Sequence, residues 1–210
     1  MSASHHPSDE TLLAHATGGL DEAYRAVVAT HLAGCAACRA TVRVAEQVGG
    51  DLLASIERVP MRADALERAM ARLDEPAPPP VPRPVATAGL PDTLAGYGMG
   101  RWRPMARGLA VATLLTPEGG RAGLHLLRIA PGMHLAQHGH RGLEMTSVLQ
   151  GAFRDGEQVY RAGDVAETSD DDDHAPMAIG DEVCVCLIAL SGRLRFRHWV
   201  FRLLQPLIGF

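Results

Sequence analysis

Apolar residues in the first 75 positions recur at helical spacing, whereas those beyond position 100 recur at every second position. The chain therefore predicts a helical front and a strand-rich remainder. Ser8 is placed to cap a first helix through Leu12, Leu13 and Ala16, stopped by Gly18-Gly19. Asp21 opens a second, with Ala23, Val27, Val28 and Leu32 on its apolar side. A third runs from about Ala36 through Val42, Ala45 and Val48, and Gly49-Gly50 is expected to break it. A fourth covers Asp64 to Leu73, with Leu66, Met70 and Leu73 on one side. Strands are predicted at Leu109–Leu115, Leu124–Ile129, Met145–Phe153, Val159–Tyr160, Cys184–Leu190 and Leu194–Trp199. Asp155-Gly156 is a two-residue hairpin signal, and Arg161-Ala162-Gly163-Asp164 is a second turn. Many short strands joined by glycine-rich turns imply a sandwich or barrel.

Between the two regions lies Pro76-Ala77-Pro78-Pro79-Pro80-Val81-Pro82-Arg83-Pro84, which suits neither helix nor central strand. It predicts a stiff polyproline tether spanning roughly 25–30 Å. The expected organisation is a helical domain over 1–75, a linker over 76–88 and a β domain over 89–210. Four short helices make a thin core, which a bound metal ion would reinforce.

The chain has 210 residues and a net charge of −4, which argues against broad contact with nucleic acid. No apolar run reaches the roughly 18–20 residues that span a bilayer, and the polar start does not resemble a signal peptide. A cytoplasmic protein is expected, without a membrane partner. There thiols stay reduced, so its paired cysteines suit ligands or sensors better than staples.

Two metal signatures stand far apart. The first is His31-x3-Cys35-x2-Cys38. His31 and Cys35 lie one helical turn apart and Cys38 follows across a tight turn, a zinc-type donor set. A fourth ligand is missing locally; His5, His6 and His15 are the candidates. The second is His138-Gly139-His140 followed by Glu144, between Gly132 and Gly151. On a strand, side chains at i and i+2 share a face, so two imidazoles would stand about 6–7 Å apart with a carboxylate nearby. Such a mixed N/O set suits zinc, manganese, iron or nickel. Cys184 and Cys186 share a strand face, as core residues or as a redox pair. His125 and His134 are expected on strand faces rather than as ligands, and Asp170–Asp173 as a solvated acidic loop. The apolar end from Arg193 to Phe210 is expected to cap the barrel.

The pattern around His138 matches the first cupin motif at every defined position. Of the second, Gly156 to Gly163 keeps the turn character, the proline is absent, and the histidine comes late, at His174. The second half thus resembles a divergent cupin, a double-stranded β-helix or jelly-roll barrel. This resemblance implies His138, His140, Glu144 and His174 as ligands of a divalent metal. The first half resembles the zinc-binding anti-sigma domain, which implies His6 beside His31, Cys35 and Cys38. In this order the two halves resemble the ChrR-type anti-sigma factors across nearly the whole chain. The resemblance implies a small all-α zinc-binding domain followed by an all-β cupin. It further implies sequestration of an extracytoplasmic-function sigma factor, with the cupin serving the response to singlet oxygen or organic hydroperoxides. The competing expectation is a metal-dependent cupin enzyme, of dioxygenase or hydrolase type.

Overall fold

In the computed structural model the described residues are 3–76, 90–139, 141–169, 173–192 and 195–196. Four helices come first: α1 Asp9–Ala16, α2 Glu22–Gly34, α3 Ala36–Ser55 and α4 Ala65–Leu73. The Ser8 side chain accepts from the Thr11 N–H, and that of Asp21 accepts from the Ala23 N–H, so both anticipated caps are made. Gly18, at φ 72°, turns the chain after α1. The expected break at Gly49-Gly50 does not occur, because α3 runs through both residues to Ser55. A glycine inside a helix costs only about 1 kcal/mol, and Leu52, Leu53 and Ala54 beyond it are good helix formers.

The strands are β1 Gly98–Met99, β2 Arg103–Ala106, β3 Leu109–Leu115, β4 Ala122–Ile129, β5 His138–Gly139, β6 Glu144–Gln150, β7 Ala152–Asp155, β8 Gln158–Arg161, β9 Val165–Thr168, β10 Met177–Ile179, β11 Cys184–Ser191 and β12 Arg195–Phe196. All pairings among the described residues are antiparallel. The main sheet has the order β1-β3-β4-β11-β6-β9, with β2 also on β3; smaller sheets run β10-β7-β8 and β12-β5. The strand expected over Met145–Phe153 is two strands. Gly151 between them has φ 70°, and a Cβ there would stand 2.9 Å from the Val183 carbonyl oxygen. In the β7–β8 hairpin Asp155 pairs with Gln158, so the turn falls on Gly156-Glu157, one residue later than anticipated. The proline-rich tether, from residue 77, and most of the segment after Arg193 lie outside the described residues.

The main sheet is buried on both faces. Val111, Leu127, Ile129, Val148, Cys184, Cys186, Ile188 and Leu190 point into the barrel. Ala112, Leu114, Leu124, Leu126, Met145, Leu187 and Ala189 point out of it, into one cluster with Ala23, Tyr24, Val27 and Val28 of α2. Of the helices, α2 lies on the outer face of the barrel sheet, whereas no residue of α4 is buried. Polar contacts fix its start. Glu22 accepts from the Glu118 N–H at 2.9 Å, Asp21 from the Arg121 N–H at 2.8 Å, and Arg25 pairs with Glu118. The Tyr24 hydroxyl donates to the Leu143 carbonyl at 2.6 Å, just before β6.

Candidate metal centres

Among the described residues two groups of side chains converge as metal donors would: His6, His31, Cys35 and Cys38, and His138, Glu144 and His174. In each, one donor atom per residue lies within 4.8 Å of the others.

In the first group the α2–α3 junction does most of the positioning. His31 closes the last turn of α2, Cys35 is the N-cap of α3, and Cys38 follows in its first turn. His6 arrives from the segment before α1. His6 Nδ1 is 3.3 Å from His31 Nε2, 3.5 Å from Cys35 Sγ and 3.4 Å from Cys38 Sγ; His31 Nε2 is 3.3 Å from Cys38 Sγ. Metal–nitrogen and metal–sulfur bonds of about 2.0–2.3 Å give a tetrahedron edges of about 3.3–3.8 Å, so these separations fit zinc. His31 Nδ1 faces the Gly163 carbonyl oxygen at 2.8 Å and therefore carries the proton, leaving the Nε2 lone pair toward the cluster. Burial lowers the His31 pKa, which keeps the ring a neutral ligand. Burial and then the Cys35 thiol push Cys38 up to about 11, a resistance to ionisation that a divalent cation would reverse. Of the other candidates for fourth donor, His5 turns to Asp164 at 3.4 Å, and His15 sits in the last turn of α1, outside the group.

The second group lies in the barrel. His138 Nδ1 donates to the Ala136 carbonyl at 2.7 Å, and His174 Nδ1 to Asp155 Oδ2 at 2.6 Å. Each outer bond leaves Nε2 as the available donor. His138 and His174 face each other across an antiparallel bridge, with ring centroids 4.5 Å apart. Glu144, at the start of β6, is buried, and burial raises its carboxyl to about 7; a cation would restore its charge. Thr146 donates to it at 3.3 Å. His140 lies outside the described residues. These groups line a cavity of about 610 Å³ whose remaining lining is mostly apolar, with Met105, Leu127, Met133, Phe153 and Cys186 among it.

His125 is buried on β4 with Nδ1 3.3 Å from Thr113 Oγ1, and His134 bridges Met177; neither joins a donor group. Cys184 and Cys186 are both buried on β11, with sulfurs 3.6 Å apart beside a bulge at Val185/Cys186. Asp164 carries no sequence signal beyond that of a turn residue, yet it is 2 % exposed and contacts Ser4 and His5.

Residues 93–192 match the ChrR cupin-like domain family. The chain is 41 % identical over 212 aligned positions to the anti-sigma-E factor ChrR of Cereibacter sphaeroides, covering 98 % of each. The chain belongs to the ChrR family. Rhodobacter sphaeroides ChrR, solved in complex with SigE, superposes with a TM-score of 0.77 at 40 % identity, over 90 % of this chain and all of that one. The ChrR fold therefore extends through both the helices and the barrel. No described helix is long and apolar enough to cross a membrane.

Proposed function

We propose that this chain is a zinc-dependent anti-sigma factor that sequesters an extracytoplasmic-function sigma factor, with its cupin half serving release by an oxidant. One observation carries the reading. Val44, Val48, Leu52, Leu53, Ile56, Val59, Met61, Leu66, Met70 and Leu73 are all more than half exposed. Among the described residues the other large exposed apolar side chains are only Leu13, Leu115 and Val183, so the bare surface is concentrated in α3, α4 and the segment between them. None of the residues of α4 is buried. A concentration of this kind marks a protein interface. It follows directly on the His31-Cys35-Cys38 cluster, and the related ChrR was solved bound to a sigma factor.

Zinc on His6, His31, Cys35 and Cys38 would fix the angle between α2 and α3 and so aim the apolar stretch at its partner. Such bonds supply a large share of a small domain's stability. In the barrel, His138, His140, Glu144 and His174 would hold a divalent ion that binds or reacts with the oxidant.

The test is co-expression with extracytoplasmic-function sigma factors of the same genome, followed by metal analysis. His31→Ala and Cys38→Ala are expected to lose helical zinc and the complex together; a complex that survives without that zinc contradicts the assignment. Glu144→Ala with His174→Ala should leave binding intact and abolish oxidant-triggered release. The apolar cavity beside three donors supports one rival, a cupin enzyme. Turnover of a peroxide, or oxygen uptake with a small apolar substrate, by the purified chain would favour it.

A further inference from the structure

We propose that the turn between β8 and β9 is a latch on the helical metal cluster: Asp164 holds the segment that carries His6, and the Gly163 carbonyl orients His31. The proposal rests on the reading of that cluster as a zinc site.

Asp164 collects donors from two distant parts of the chain. Within its own turn it accepts from the Arg161 N–H at 2.8 Å. From the N-terminal segment it accepts from the Ser4 N–H at 2.7 Å and the His5 N–H at 3.1 Å. The Ser4 hydroxyl lies at 3.2 Å and His5 Nδ1 at 3.4 Å from Oδ2. Burial alone would raise this carboxyl, but the N–H groups of Arg161, His5 and Ser4 outweigh it and hold the pKa below its usual value.

The surrounding contacts reinforce the same attachment. The Val165 N–H donates to the His5 carbonyl at 3.2 Å, and the Ser8 N–H to Glu167 at 3.1 Å. The His5 ring lies 4.5 Å from Tyr160, with Nε2 3.1 Å from Gln158 Oε1. His6 is thus tethered on both sides, at His5 and at Ser8, to β8, β9 and the turn between them. Three donors of the cluster sit at the α2–α3 junction, but His6 comes from the segment before α1, which no helix of its own holds in place. The tie comes from the barrel. One residue before Asp164, Gly163 accepts the His31 ring N–H and selects the nitrogen that faces the cluster.

The latch also shares a strand with the cavity. β9 starts at Val165, next to Asp164, and its Thr168 lines the cavity and pairs with Glu144. Ala166, two positions after Asp164, and Thr168, four positions after it, both line the cavity.

Zinc transfer from the loaded full-length chain to a coloured chelator tests the proposal. The phase that disappears in Cys38→Ala reports the helical site. Asp164 touches no cluster ligand itself and acts through the Ser4-His5 backbone, so Asp164→Ala should speed that phase by roughly tenfold, the low end of the effect of losing a direct outer partner. His5→Ala leaves the Asp164–Arg161 bond untouched, so the barrel turn stays intact. It should speed the phase by a smaller factor, roughly threefold or more, with faster amide exchange at residues 4–8 and an unchanged unfolding midpoint. If Asp164→Ala does not fold, His5→Ala decides. Release and exchange at the parent rates in the folded variants overturn the latch alone. A parent chain without stoichiometric helical zinc overturns the zinc reading, and the latch with it.

Discussion

Helix α2 and the stretch from the middle of α3 through α4 both carry apolar residues at helical spacing, yet their fates are opposite. Ala23, Val27 and Val28 of α2 are inaccessible to solvent, sealed against the outer face of the barrel sheet. Val48, Leu52, Leu66 and Leu73 are bare. Amphipathic spacing shows that a helix has a partner without saying whether that partner is internal. Polar fittings set the first helix apart: Asp21, Glu22, Tyr24 and Arg25 all bond to the barrel or its loops. In our reading the second stretch keeps its apolar side for another protein.

The contrast breaks most sharply under a buried charge. Val28→Asp should abolish folding, because an unpaired carboxylate in that interface costs more than about 4 kcal/mol. Leu66→Asp should leave the stability within about 0.5 kcal/mol of the parent. Thermal unfolding of the two variants compares them; equal effects would erase the distinction between covered and bare helix.

A smaller effect concerns the sheet beneath α2. Burial lowers the His125 pKa from 6.5 to about 4. The unfolded chain therefore takes up a proton between those values while the folded chain resists it. Stability from this group is complete above 6.5 and is lost as pH falls toward 4, by on the order of 2–3 kcal/mol. Urea unfolding at pH 7 and pH 4.5 should show that loss, and His125→Leu should remove most of it. A variant with the parent's acid slope would refute the assignment.

Smaller still is the cap of α2. A Cβ on Gly120 would stand 2.5 Å from Asp21 Oδ1 and push that carboxylate off the Ala23 and Arg121 N–H groups. Gly120→Ala should cost about 1 kcal/mol, the usual worth of a helix cap. No change in the urea midpoint would show that the cap does not secure α2.

Local signals carried much of the fold in the sequence. Ser8 and Asp21 cap the helices they were expected to cap, and β3 spans Leu109–Leu115 as its alternation implied. The short strands β1, β5 and β9 had too few residues to show a period. The spacing His31-x3-Cys35-x2-Cys38 announced three donors because a helix and its cap bring them together locally. Local spacing does not separate His5 from His6, since adjacent residues share every local signal, and only the family resemblance favours His6. Contacts across the fold divide them, sending His5 to Asp164 and His6 to the cluster. The seating of α2 on the barrel and the reach of Asp164 to Ser4, 160 positions away, leave no local trace at all.

The most direct measurement is calorimetric binding of a cognate sigma factor to the full-length chain and to Leu52→Asp/Leu66→Asp. Two interface anchors are each expected to contribute about 2 kcal/mol, so the variant should bind at least about 100-fold more weakly, with zinc content and unfolding midpoint unchanged. Affinity equal to the parent's would contradict the assignment of these bare helices as the sigma-binding face.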